Sequence, residues 1–342
     1  MKGKTLLLWF CVVALVAMIA GTTASAQHSA TFKAAMVSDT GNINDKSFNH
    51  LSKLGLDRAK RVLHAQTHVF ISNSAADYLP NFTAAARQGY NAIVATGFLL
   101  SNDMDTAATQ FPKAKFAIVD FPWSALPHKP KNAIGLTFES QESGYLVGYL
   151  AGLMAKKQGG KQIVSAVGGK KLPSVDNWIA GYFAGAKKAN PKIKTLLDYS
   201  DQFSISFAAK CKELALNQIA QGSQMVFQVA GGCGLGALDA AKQNHKGRRP
   251  VWGIGVDADQ SYLGAHILTS GTKKVDVATF RFYRSVKNGT FKGGRNFDGT
   301  LKNGLQGVGK ISPKVPKAFV TKMNKIKALI IKRKIKPPSK LS

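Results

Sequence analysis

The chain has 342 residues, 45% of them hydrophobic, and a mean hydropathy of −0.07. That is long enough for two domains with buried cores, and it excludes both a disordered chain and a polytopic membrane protein. Lys and Arg number 47 against 18 Asp and Glu, a formal charge of +29, so either the partner is acidic or the compartment tolerates a very basic protein; three cysteines are too few for a disulfide scaffold.

Lys2 and Lys4 precede an unbroken apolar run over residues 6–20, and Ala24, Ser25 and Ala26 follow it. This order reads as a secretory signal peptide over residues 1–26, cut near Ala26. The run is shorter than the roughly 20 residues that span a bilayer. Cys11 lies inside it and no small-residue Cys site ends it, so lipid attachment is not expected. The mature chain, at +27 once Lys2 and Lys4 are gone, is expected to be free in the periplasm.

Short apolar runs then alternate with amphipathic stretches. Residues 33–38, 68–72, 92–96, 115–119 and 133–136 read as buried strands, with helices at 48–63, 78–88 and 104–111. The rhythm repeats with strands at 162–167, 194–198, 225–229 and 251–256 and helices at 175–188, 206–221 and 236–243. A strand followed by a helical crossover returns parallel, so the alternation predicts an α/β chain of two doubly wound parallel-sheet lobes with a seam near 137–142. Cys211 falls early in a predicted helix and Cys233 just past the next strand, which puts both at one sheet edge. They either pair, closing a loop for about 3 kcal/mol, or remain two buried thiols. Residues 288–309 are rich in Gly, Asn and Lys, and the basic stretch 325–340 reads as a solvated helix and a short end piece, with nucleic-acid binding as its alternative.

In an open parallel sheet the ligand crevice lies beyond the carboxyl ends of the strands, so functional residues are expected in the loops that follow strands. The first such loop sets Asp39, Asn42, Asn44, Asp45, Ser47 and Phe48 just before a helix. Helix capping explains one Asp or Ser but not the set. Fixed donors and acceptors beside a flat apolar face suit a neutral polar ring compound. Gly97-Phe98, Asp120-Phe121-Pro122-Trp123 and Asp257-Ala258-Asp259-Gln260 follow later strands, and Trp178 opens a helix. Turn capping or packing accounts for each by itself; all of them fall on one predicted crevice.

Catalytic signatures are weak. His64 and His68 bridge a helix end and the next strand, poorly placed for a metal. There is no Gly-x-Ser-x-Gly elbow, and no His has an evident role as base to Cys233. Gly232-Cys233-Gly234-Leu235-Gly236, with Asp257 about 20 residues on, fits a dinucleotide fingerprint poorly. No enzyme activity, cofactor or metal is therefore expected.

Five segments carry a more specific resemblance: DTGNINDKSFN (39–49), ESQESGYLVGYLAG (139–152), VDNWIAGYFAG (175–185), VFQVAGGCGLGALDAA (226–241) and GIGVDADQ (253–260). In order, and over about 32–338, they resemble the basic membrane protein family, substrate-binding proteins of ABC importers that include purine nucleoside receptors. The resemblance implies the type 1 periplasmic-binding-protein fold, two doubly wound parallel-sheet lobes joined by a hinge. The expected lobes are 33–138 plus about 257–284, and 139–256 plus about 285–336, with 337–342 as a basic tail end.

The resemblance also implies roles. Asp39, Asn44 and Asp45 would contact the ligand, Phe48 would pack on a base, and Asp120 would bind the base edge. Gly231 and Gly232 match a turn that lets backbone approach the ligand, Asp257 an acceptor for ribose hydroxyls, and Lys273 a lysine facing the sugar. Phe98 joins them from its post-strand position. Trp178 stands where the family usually has Phe as the opposite wall, and Cys233 where it usually has Thr. The implied partners are a purine nucleoside and an inner-membrane ABC permease, with no nucleic acid, and the implied state is a monomer. A sugar or other small polar ligand in the same fold is the alternative, and adhesion to anionic surfaces is a further reading of the charge.

Overall fold

Strands that are apolar on both faces need helices on both sides of the sheet, and the first half of the chain supplies them. The computed structural model describes residues 31–40 and 43–341, so the signal peptide expected over 1–26 lies outside the described residues. Strands β1 (Lys33–Ser38), β2 (Gln66–Phe70), β3 (Ala92–Thr96), β4 (Lys115–Val119) and β5 (Ala133–Phe138) alternate with α1 (Phe48–Leu63), α2 (Tyr78–Arg87) and α3 (Ser101–Gln110). After α4 (Ser140–Gln158) the pattern repeats as β6 (Ile163–Gly168), α5 (Pro173–Ala189), β7 (Lys194–Tyr199), α6 (Ala208–Ala220), β8 (Ser223–Val229), α7 (Gly234–Gln243), β9 (Trp252–Asp257) and β10 (Ile267–Lys273). The chain ends with α8 (Val275–Lys287), β11 (Arg295–Gly299), β12 (Gln306–Val308) and α9 (Lys317–Ile331).

Two six-stranded sheets result, ordered β11-β5-β4-β3-β1-β2 and β12-β10-β9-β8-β6-β7. Among the described residues every strand pair is parallel except β10 with β12. The orders match position for position, so β4 and β9 hold the same place in their lobes. Both lobes belong to the compact unit Phe32–Ser342.

The lobes exchange more chain than the sequence suggests. β10 lies in the segment expected in the first lobe, yet it pairs with β9 in the second sheet. β11 lies in the segment expected in the second lobe, yet it pairs with β5 in the first. The lobes are therefore 32–138 plus 275–299, and 139–273 plus 306–341. The cause is α8. It buries Ala278, Phe280, Phe282 and Tyr283 in the first lobe's core and crosses α1 so closely that a Cβ on Gly55 would lie 1.9 Å from Thr279 Oγ1. The chain must return to the first lobe just before α8, and β11 then closes that sheet's edge.

Two further elements differ from expectation. α4, absent from the predicted helices, is buried nearly all round. Its Gly144, Gly148 and Gly152 press against α5, where a Cβ on Gly148 would meet the Tyr182 carbonyl oxygen at 1.9 Å. The C-terminal helix is not simply solvated: Met323, Ile326 and Ile330 of α9 enter the second lobe's core, and Leu341 of the tail packs against it. Among the described residues no helix is long and apolar enough to cross a membrane.

Candidate ligand-binding site

The carboxyl ends of β1, β3 and β4 from one lobe, and of β8, β9 and β10 from the other, border one cavity with about 640 Å³ of space free of atoms, part of it continuous with solvent. Asp39, Asp45, Phe48, Phe98, Asp120, Trp178, Gly231, Asp257 and Lys273 all line it. Asn44 is exposed and Gly232 packs against the Ile205 backbone; neither is among the lining residues.

At the centre lies Lys273, buried at the end of β10. Its Nζ is 2.6 Å from Asp120 Oδ2 and 3.4 Å from Asp257 Oδ1. Burial by itself would lower the ammonium's pKa, but Asp120 and Asp257 outweigh it and hold the group above the ordinary lysine value. The two aspartates are structural counterparts: Asp120 follows β4, Asp257 ends β9, and both have φ +62°. Asp tolerates this left-handed conformation better than most residues. Each lobe thus delivers one carboxylate to the same cation. Ser47 Oγ, from the first lobe, adds a 3.2 Å hydrogen bond to Asp257 Oδ2.

Asp45 has a second duty. Its carboxylate accepts from the backbone N–H groups of Ser47, Asn49 and His50, so it caps α1. Burial pushes its carboxyl above the usual range against the pull of these donors. Asp39 accepts from Asn49 Nδ2 at 2.9 Å, while Asn49 Oδ1, on the cavity lining, has no hydrogen-bond partner.

The walls are aromatic. Phe48 stands on the first lobe with Lys273 Nζ 4.7 Å from its ring centroid, and Phe98 meets Phe121 edge-on at 5.0 Å. On the second lobe Trp178 is only 1% exposed. Its ring packs T-shaped on Phe227 and over Gly271, where a Cβ would come within 2.6 Å. It is a core residue whose surface closes the cavity, not a free-standing wall. The half-buried Phe203, in the loop after β7, is the second lobe's other aromatic ring on the lining. Sequence reasoning passed it over, although its position after a strand was the available signal.

Cys211 and Cys233 form a disulfide, with Cα atoms 5.7 Å apart. This settles the pairing that the sequence left open and removes Cys233 as a nucleophile. The bond ties α6 to the glycine-rich turn before α7, and the Cys233 N–H donates to the Phe203 carbonyl at 3.1 Å. The glycines that open α7 serve packing: a Cβ on Gly236 would lie 1.8 Å from the Ala208 carbonyl oxygen, and one on Gly234 1.9 Å from Gln228 Oε1.

A family model described as "ABC transporter substrate-binding protein PnrA-like" matches residues 32–340. The ABC transporter nucleoside-binding protein BmpA of Lactococcus lactis is 32% identical, covering 99% of this chain and all of that protein. Basic membrane protein A1 of Borrelia garinii is 33% identical over 87% of this chain and 86% of its own. Among solved structures, an ABC transporter solute-binding protein from Aeropyrum pernix superposes with a TM-score of 0.81 at 26% identity, covering 90% of this chain and 94% of that one. With its two-lobed α/β fold and interlobe cavity, the chain belongs to the Bmp family of PnrA-like ABC transporter substrate-binding proteins.

Proposed function

We propose that this protein is the periplasmic receptor of an ABC importer and that it holds a purine nucleoside, or a closely similar heterocycle, between its lobes. The observation that carries the reading is the pairing of two aromatic rings from opposite lobes, Phe48 and Phe203, with Asp120 and Asp257 from opposite lobes on one buried lysine. In this reading a planar base stacks against these rings, each such contact contributing about 1–3 kcal/mol per base. Asp39 and Asp120 accept hydrogen bonds from ring or exocyclic N–H groups, while Asp257 accepts from ribose hydroxyls and Lys273 donates to them. Closing the lobes removes water from these bonds and creates the shape that a permease recognises. The site captures its guest and performs no chemistry on it. Export by a cleaved signal peptide and a monomeric state belong to the same reading.

Asp39, Asp45, Asp120 and Asp257 face the single Lys273 on the lining, so the cavity is acidic within a basic protein. A phosphate brought into it meets four aspartate side chains and one lysine at short range. Thermal unfolding with nucleosides, free bases, ribose, other sugars and nucleoside monophosphates tests the proposal. A nucleoside at 100 times its Kd stabilises the fold by about 2.7 kcal/mol, a shift of several degrees, and the monophosphate gives none. Shifts from sugars alone would reject the nucleoside and leave a receptor of another specificity.

A further inference from the structure

The pole of the second lobe opposite the cleft is formed where α4, α5, α6 and α7 end and where β6, β7, β8 and β9 begin. Hydrogen bonds stitch these ends together: Gln158 Nε2 to the Pro250 carbonyl, Gln224 Nε2 to the Gly159 carbonyl, Lys161 Nζ to the Gln221 carbonyl, and Asn190 Nδ2 to Gln162 Oε1. Lys156 and Lys157 end α4, Lys187 and Lys188 end α5, and Lys242 ends α7. Lys161, Lys192, Lys194, Lys246, Arg248 and Arg249 fill the turns and strand starts between them. All eleven are exposed; the segments 156–163, 186–194 and 241–252 that carry them, and 219–225 at the same end of the sheet, hold none of the chain's 18 Asp and Glu.

Cations in the last turn of a helix complement its dipole. That accounts for Lys156, Lys157, Lys187, Lys188 and Lys242. It does not account for the six in turns and strand starts, nor for the absence of any carboxylate among them. We infer that this pole is an electrostatic docking surface for an anionic phospholipid bilayer. The exposed large apolar side chains of the described residues all lie outside these segments, so the pole offers no aromatic platform on which single-stranded bases could stack and no wedge for insertion into lipid. What remains is a broad cationic face suited to a plane of anionic headgroups. An importer's receptor works beside a membrane. Resting on this pole would keep it there with the cleft turned toward arriving solute.

Sedimentation of the purified protein with vesicles of phosphatidylglycerol and phosphatidylcholine, against vesicles of phosphatidylcholine alone, tests this at 0.1 M salt. The triple variant Lys188→Glu, Lys246→Glu, Arg248→Glu is compared with Lys129→Glu, Lys131→Glu, Lys292→Glu, which makes the same charge change at exposed first-lobe positions. Each cation at a bilayer surface contributes about fivefold in affinity, so the pole variant should bind anionic vesicles more than about 100-fold more weakly and the first-lobe variant within about threefold of the parent. Binding should vanish near 0.5 M salt as screening shortens to a few Å. Equal losses in the two variants would overturn the inference, as would equal binding to both kinds of vesicle, or retention on duplex DNA with no sedimentation by vesicles. Unchanged thermal unfolding of both variants shows that each remains folded.

Discussion

Phe203 and Trp178 both line the cavity from the second lobe, but their surroundings assign them different work. Trp178 is sealed between Phe227 and Gly271, so Trp178→Ala should leave a core cavity and cost about 3–5 kcal/mol of stability. Phe203 is half-buried on a loop, and Phe203→Ala should lower the unliganded melting temperature little. Its expected effect is on affinity, a loss of about 5- to 150-fold for one stacking face. Calorimetric titration of the favoured nucleoside, beside unliganded melts of both variants, separates the roles; a large stability loss in Phe203→Ala with unchanged affinity would reverse them. The residues legible in the sequence were those whose chemistry is unusual just after a strand. Asp39, Phe98, Asp120 and Asp257 stood out because a parallel sheet sends every such loop to one edge. Phe203 sits in SDQFSIS, where Ser and Asp read as ordinary turn chemistry. Lys273 came only from the family resemblance, since nothing local distinguishes it from its neighbour Lys274.

At the level of elements, alternation marked most strands but not those that lack an apolar run. β10 reads ILTSGTK yet is buried along its whole length, because α4 and the strands beside it cover polar and apolar residues alike. β11 is a polar edge strand, and α4 escaped because a helix buried on every side has no amphipathic period. The proximity of Cys211 and Cys233 was legible from their position in one strand-helix-strand unit, whereas their pairing and its link to the site were not. Through the Cys233 N–H the disulfide steadies the Phe203 backbone, and Gly231, two residues before Cys233, lines the cavity. The double variant Cys211→Ala, Cys233→Ala should lose about 3 kcal/mol of stability, several degrees in melting temperature, with a smaller loss in nucleoside affinity. Melts with and without reductant check this: reductant should lower the parent toward the variant and leave the variant unmoved. A parent indifferent to reductant would show that the bond contributes nothing to stability.

For the whole molecule, three crossings between the lobes make neither lobe a continuous stretch of chain. Residues 32–138 contain five strands of the first sheet and all three of its early helices, and by length they could pass for a domain. They lack α8 and β11. Val275, Phe280, Phe282 and Tyr283 are buried in that lobe's core, and at about 1.5–3 kcal/mol for each buried side chain they contribute about 6–12 kcal/mol, comparable to the entire stability of a typical domain. β5 would also be left as an exposed parallel edge in place of its pairing with β11. A fragment of residues 32–138 is therefore expected to show no cooperative thermal transition and no near-ultraviolet circular dichroism of fixed aromatic rings. Supplying residues 274–300 through a flexible linker should restore both. If the shorter fragment melts cooperatively by itself, α8 is packing onto a lobe already stable without it, and the interleaving of the lobes serves closure of the cleft instead of the fold.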